Sequence, residues 1–200
     1  LIAVKLAVAL TGFWILRGHA GEGRKLVLAA LDLPAVQASA QARAWALYTG
    51  AALASSQGDH ESASRMLETC LSLRRETGHV VETAATLSTL SLARLQAGDP
   101  DGAATCETEA LELFAQAGDD RGQAISWLHL GQIRAWADDH DAALDDLARA
   151  SDIARAMGNR EVEAESQLST AEVCLRLRRF DAARVAAQHS LQVCKEAGDK

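Results

Sequence analysis

Proline is nearly absent from this 200-residue chain, which has only Pro34 and Pro100, so long helices can run without the residue that breaks them. Aromatics are few as well (four Trp, three Phe, one Tyr), while alanine is abundant, a composition that suits close helix packing better than one large central core. The four cysteines, Cys70, Cys106, Cys174 and Cys194, show no CxxC spacing and all fall in helical stretches. They read as small apolar packing residues in a reducing compartment, not as a disulfide framework or a metal set. No apolar run reaches the roughly eighteen residues of a spanning helix. Leu1–Leu16 is nearly all apolar but is interrupted by Lys5 and ends in Arg17-Gly18-His19, so it is expected to be a buried repeat helix and neither a leader nor a membrane span. Net positive charge is lacking too: a balance of −7 and a pI near 5.3 argue against direct nucleic-acid binding. The local run Arg176, Arg178, Arg179 and Arg184 reads as a solvated corner. Arginine outnumbers lysine sixteen to four, which with the high alanine content is associated with GC-rich bacterial genomes.

Catalytic and metal signatures are missing in the same way. No GxGxxG or GxxxxGK[ST] loop exists to cradle phosphate; Gly18, Gly21 and Gly23 sit at a helix corner instead. The six histidines, His19, His60, His79, His129, His140 and His189, fit no HExxH pattern, and His60 and His140 recur as repeat-equivalent residues at helix starts. The pairs Asp138-Asp139 and Asp145-Asp146 lack calcium-loop spacing, and the first pair is explained as helix capping. The expectation is no enzyme: no catalytic, cofactor-binding or metal residue is assigned, and no cofactor.

What the chain does have is a period of forty. Gly18, Gly58, Gly98 and Asp138 fall in step, as do Gly78, Gly118, Gly158 and Gly198. A helix stop therefore arrives about every twenty residues, and a fixed period in this range signals stacked helix pairs. In the unit Val80–Gly118, one helix carries Ala84, Leu87, Leu90 and Leu95 on one face. Gly98 closes it, Asp99 caps the next, and Pro100 takes its first position, where no amide donor is needed. The layout recurs at Arg43–Gly78, Arg121–Gly158 and Glu161–Gly198 and more loosely at Ile2–Leu33; Arg178-Arg179 replaces the last Gly-Asp pair, and Pro34 to Ala40 interrupts the pattern.

Three columns of this alignment hold only small residues: Thr11, Ala51, Ser91, Gly131 and Ala171; Gly23, Ala63, Ala103, Ala143 and Ala183; Ala30, Cys70, Ala110, Ala150 and Ser190. Close helix crossing explains them, because a larger side chain would push the backbones apart at about 1–3 kcal/mol.

These columns, the aromatic-x-x-Leu-Gly run Trp127-Leu128-His129-Leu130-Gly131, and Phe180 at the start of the last helix together resemble the tetratricopeptide repeat. The unit is longer than that family's usual ~34 residues, and Gly-Asp or Gly-Asn stands where the family has proline. The long variant resembles the repeats of bacterial LuxR-type and related ATPase-coupled regulators, as does the opening Phe13–His19 with Gly21-Glu22-Gly23-Arg24. The resemblance implies an all-α, right-handed superhelical solenoid of about five antiparallel helix pairs, spanning 1–39, 40–79, 80–119, 120–159 and 160–199, as one repeat domain. It also implies a cytoplasmic, bacterial module of transcriptional and signalling regulation that binds a protein, a peptide or a small-molecule effector, without membrane insertion. A passive scaffold is the alternative.

In the family the first helices line a concave face, which here implies Trp45, Tyr48, Ser88, Leu92, Leu128, Gln132, Trp136, Leu168, Glu172 and Arg176 as candidate partner-binding residues. The tryptophans have two readings, partner contact or packing between adjacent units. No polar helix closes the pattern at either end, so the chain is expected to be a fragment of a longer polypeptide whose neighbouring units cover the apolar end helices, and in isolation those ends are expected to pair with another copy.

Overall fold

The computed structural model describes residues 2–198, and among them the chain forms eleven α-helices and no strand. They are α1 (Ile2–Leu16), α2 (Ala20–Leu31), α3 (Pro34–Gln37), α4 (Ala40–Ser56), α5 (His60–Thr77), α6 (Val80–Gln96), α7 (Pro100–Ala117), α8 (Asp120–Trp136), α9 (His140–Met157), α10 (Arg160–Arg176) and α11 (Phe180–Gly198). The fold is all-α, as the periodicity requires. The eleventh helix is the single turn α3, which fills the interruption at Pro34: proline sets the backbone at its first position, and Val36 is buried beneath it.

The helices stop for one repeated reason. At each turn inside a pair the same long bond closes the corner: His19 N to Trp14 O (2.8 Å), Asp59 N to Ala54 O (3.0 Å), Asp99 N to Arg94 O (2.9 Å), Asp139 N to Arg134 O (3.0 Å) and Arg179 N to Cys174 O (2.8 Å). This is the Schellman arrangement, which needs a left-handed residue just before the donor. Gly18, Gly58 and Gly98 supply it, and so do Asp138 (φ 60°) and Arg178 (φ 58°). The corner geometry therefore outlasts the glycine that favours it. Side chains then start several following helices: Asp59 accepts from Ser62 N, Asp99 from Gly102 N, Asp119 from Gly122 N and Asn159 from Val162 N.

The chain divides into two compact units, Leu1–Cys106 and Glu107–Lys200, with the division inside α7. In the first, α1, α2, α3 and α4 share a core of Val4, Trp14, Val27, Val36, Ala42 and Leu53. In the second, α8, α9 and α10 bury Leu128, Ala143, Leu147, Ala150, Val162 and Val173 together.

Of the fifteen small-column residues, all but the half-buried Thr11 are buried. A β-carbon on Gly131 would lie 2.7 Å from Leu147 Cγ and 3.2 Å from the Ala143 carbonyl oxygen. Small residues with a polar atom also bond across the crossing: Ser91 Oγ donates to Ala103 O (2.9 Å), Ser190 Oγ to Ala164 O (2.8 Å) and Cys70 Sγ to Ala44 O (3.3 Å). The last two are the same contact three periods apart.

The apolar stretch at the start is a helix, but the expectation that it is buried needs correcting. α1 buries Val4, Ala7 and Trp14, while Ile2, Leu6, Phe13 and Leu16 stand exposed. Among the described residues, α1 packs chiefly on α2 and α4. No helix among the described residues is long and apolar enough to cross a membrane.

Candidate binding surfaces

In the first unit, α1, α4, α5 and α6 enclose an open cleft of about 310 Å³ between Val8, Trp45, Tyr48, Arg74, Val81 and Glu82, with Thr49 and Ala85 at its base. Trp45 is half-buried and packs on the core of this unit. Tyr48 is half-buried too; its hydroxyl pairs with Thr89 Oγ1 at 2.9 Å. The guanidinium of Arg74 lies over the Tyr48 ring at 4.8 Å, a favourable cation–π distance. Leu92 is half-buried and Ser88 is buried, so Ser88 supports this surface from behind and does not face solvent.

Arg74 is the chemical centre of the cleft, although it was not singled out from the sequence. It is 6 % exposed. Its Nη1 donates to Glu82 O (2.7 Å) and Thr86 Oγ1 (2.5 Å), and its Nε lies 3.6 Å from Glu82 Oε2 without a hydrogen bond. A buried cation needs such partners, because removal from water costs several kcal/mol. The signal was present in the repeat alignment: Phe114 and Ala154 occupy the Arg74 column, and Ala42, Gly122 and Val162 occupy the Glu82 column.

In the second unit the candidates divide into core and surface. Leu128 is 2 % exposed and belongs to the core, so it offers nothing to a partner. Gln132 reaches from α8 to α10, donating to Ser169 Oγ (3.2 Å) and Glu165 Oε1 (3.4 Å). Arg176 reaches back from α10 and its Nη1 donates to Ala135 O (3.0 Å). Glu172 is exposed, Leu168 is half exposed, and Trp136 is 58 % exposed at the end of α8. Leu16, Ser56, Gln96 and Arg176 hold the Trp136 column elsewhere and are all exposed, so a tryptophan there is not part of the repeat's packing pattern.

Three carboxylates in this unit are buried, and of these only Asp146 was weighed from the sequence, as half of an acidic pair. Glu107 is fully buried where Leu67 and Leu147 stand in other repeats; Oε2 lies 3.3 Å from His129 Nδ1, and Oε1 has no hydrogen-bond partner. Glu163 is 1 % exposed and gathers Arg155 (2.9 Å), Arg160 (3.2 Å) and His189 (3.4 Å). Asp146 is 2 % exposed, and burial raises its pKa against the pull of Arg134 and Arg149. In the first unit Asp59 behaves oppositely: hydrogen bonds from Arg24 and Ser62 lower it to about 2. Among the described residues, no three His, Cys, Asp or Glu side chains converge as metal ligands do.

A tetratricopeptide repeat family model matches residues 38–116 and 122–196, more than half of the chain. No curated protein matches in sequence. Solved structures match in fold. BtubC (BKLC) from P. vanneervenii superposes with a TM-score of 0.80 at 17% identity, over 98% of this chain and 82% of that one. Nearly identical TPR-like repeats of a putative kinesin light chain from Podosopora anserina give 0.78 at 14% identity, over 98% and 97%. A Rap protein complexed with Competence and Sporulation Factor gives 0.73 at 14% identity, over 98% and 66%.

Proposed function

Because the chain belongs to the tetratricopeptide repeat family, we propose that it is the partner-sensing module of a cytoplasmic bacterial regulator of the LuxR-type or related ATPase class. It is a protein-interaction module by family. Its five helix pairs act as one repeat domain, and its partner is a protein segment or peptide in preference to a small effector. The observation that carries the reading is the cleft of the first unit, where aromatic rings and a buried guanidinium meet at a solvent-open surface. Such a cleft sits at the lower end of the ~300–1,000 Å³ range of ligand sites and combines apolar walls with few polar groups. The Rap neighbour supports it by example, its structure being that of a complex with Competence and Sporulation Factor. The exposed Trp136 offers a second apolar anchor, of the kind enriched at interfaces.

A sensor requires that the partner bind two shapes of the module unequally; a scaffold binds without that difference. The test is a pull-down and fluorescence titration against the partner, with Tyr48→Ala and Trp136→Ala. Weakened binding with unchanged helicity by circular dichroism supports the reading. Undiminished binding by the doubly substituted chain contradicts it.

A further inference from the structure

In the second unit the way one helix pair rests on the last can be followed residue by residue. α10 lies against α8 and α9. Its Val162 and Val173 enter the core beside Leu128, Leu147 and Ala154. At the margin, Glu165 meets Gln132 (3.4 Å), Arg176 meets the Ala135 carbonyl (3.0 Å) and Arg179 meets Asp141 (3.6 Å).

Moving forward by one period reaches the groove of α10 and α11, where no helix of the described chain lies in that role. Leu168, Leu191 and Cys194 stand there in the places of Leu128, Ser151 and Ala154. The earlier three are buried, at 2%, 2% and 0% exposure; Leu168 and Leu191 are half exposed and Cys194 is exposed. A cleft of about 410 Å³ opens between Ala164, Leu168, Ser190, Cys194 and Ala197.

The helix that fits this groove needs apolar residues at the Val162 and Val173 positions and suitable partners at the margin. In the forty-residue phase, α1 presents Ile2, Lys5, Phe13, Leu16 and His19 at the positions of Val162, Glu165, Val173, Arg176 and Arg179. All five are exposed in α1 and its following turn. The marginal contacts change in step on both sides. Gln132 with Glu165 becomes Glu172 with Lys5. Ala135 with Arg176 becomes Leu175 with Leu16, which are 53% and 86% exposed. Asp141 with Arg179 becomes Asp181 with His19. Each altered pair is complementary: Lys5 with Glu172 by charge, His19 with Asp181 as imidazole donor to carboxylate, and Leu16 with Leu175 by apolarity.

We propose that a second copy of this chain occupies the groove: α1 of one molecule lies on α10 and α11 of another, repeating the seat of α10 on α8 and α9. The two surfaces differ, so the contact is heterologous and propagates through rings or open chains. This goes beyond partner binding at the first-unit cleft and does not depend on it.

Sedimentation equilibrium of the 200-residue chain tests the proposal, and the expected result is a mean mass that rises with concentration. Glu172→Lys and Lys5→Glu each weaken association about tenfold, and the two together restore it, since like charges at an interface repel and exchanged charges attract. All are exposed positions, and circular dichroism confirms that helicity is kept. Ile2→Cys, oxidised with copper-phenanthroline, forms an intermolecular disulfide with Cys194 that Cys194→Ser abolishes. A constant monomer mass up to the solubility limit overturns the proposal, and so does association indifferent to both charge reversals.

Discussion

The joint where α6 meets α4 and α5 and the joint where α10 meets α8 and α9 are the same construction two periods apart, built from different chemistry. In the second unit the joint holds Leu128, Ala154 and Val162; in the first, the same positions hold Tyr48, Arg74 and Glu82. Ala44 and Cys70 in one, and Ala124 and Ala150 in the other, keep the helices at the same close approach and are buried in both. The comparison separates two tasks. Small residues at the crossings set the geometry, which leaves the larger positions around them free to be apolar filler or a polar cleft. The first unit uses that freedom for an ion pair under an aromatic ring, and the second uses it for core.

The largest effect should come from the apolar side of the comparison. Leu128→Ala removes a buried side chain from the second-unit core and is expected to cost about 3 kcal/mol in urea denaturation. Tyr48→Phe, at the matching position, removes only the bond to Thr89 and should cost about 1 kcal/mol or less. The next effect tests whether the polar joint exists for stability. Arg74→Met alone removes two hydrogen bonds and leaves the partly exposed Glu82 carboxylate without its cation, while Thr86 Oγ1 still donates to Glu82 O (2.8 Å), with an expected loss of about 2 kcal/mol. Adding Glu82→Val, which copies Val162, should recover that loss or exceed it, as apolar replacements of buried pairs often do. Failure of the second substitution to recover stability would mean that the pair holds the joint together.

A smaller effect distinguishes the corners. Arg178 adopts the left-handed conformation that Gly98 adopts at the matching turn, so Arg178→Gly should raise stability by about 1 kcal/mol in a thermal melt. The smallest is a pair of pH effects with opposite signs. Asp59 is lowered to about 2, so the stability it supplies is present above the ordinary carboxylate value of 3.8 and fades as pH falls toward 2. Asp59→Asn melts should diverge from the parent above pH 4 and converge in acid. Asp146 is raised by burial, so its charge subtracts stability as pH climbs. Asp146→Asn should therefore be more stable than the parent at neutral pH and equal to it in acid.

How much of this was legible in the sequence depends on the length scale of each cause. Helix ends were readable because a Gly-Asp corner is a local device, and even Asp138 and Arg178 kept the phase that located them. The crossing columns were readable because five repeats vote on each position. The exposed face of α1 was not, since an apolar helix has the same sequence whether or not a neighbour covers it. The cleft was half legible: Trp45 and Tyr48 were singled out, while Arg74 and Glu82 were missed despite interrupting apolar columns. Ser88 and Leu128 were misplaced as surface because first-helix residues alternate between the outer wall and the joint behind it. Reading departures from each column, as well as the columns themselves, would have found Arg74 and Glu107.

The claim underneath the comparison is that close approach of backbones selects the small residues, and two Gly→Ala melts test it by sign. Gly12, in α1, has no atom within 4 Å of a β-carbon, whereas Gly131, in α8, has Leu147 at 2.7 Å and the Ala143 carbonyl oxygen at 3.2 Å. Helix propensity favours alanine at both sites by about 1 kcal/mol. Gly12→Ala should therefore raise the melting temperature and Gly131→Ala lower it. Equal stabilisation at the two sites would contradict the account.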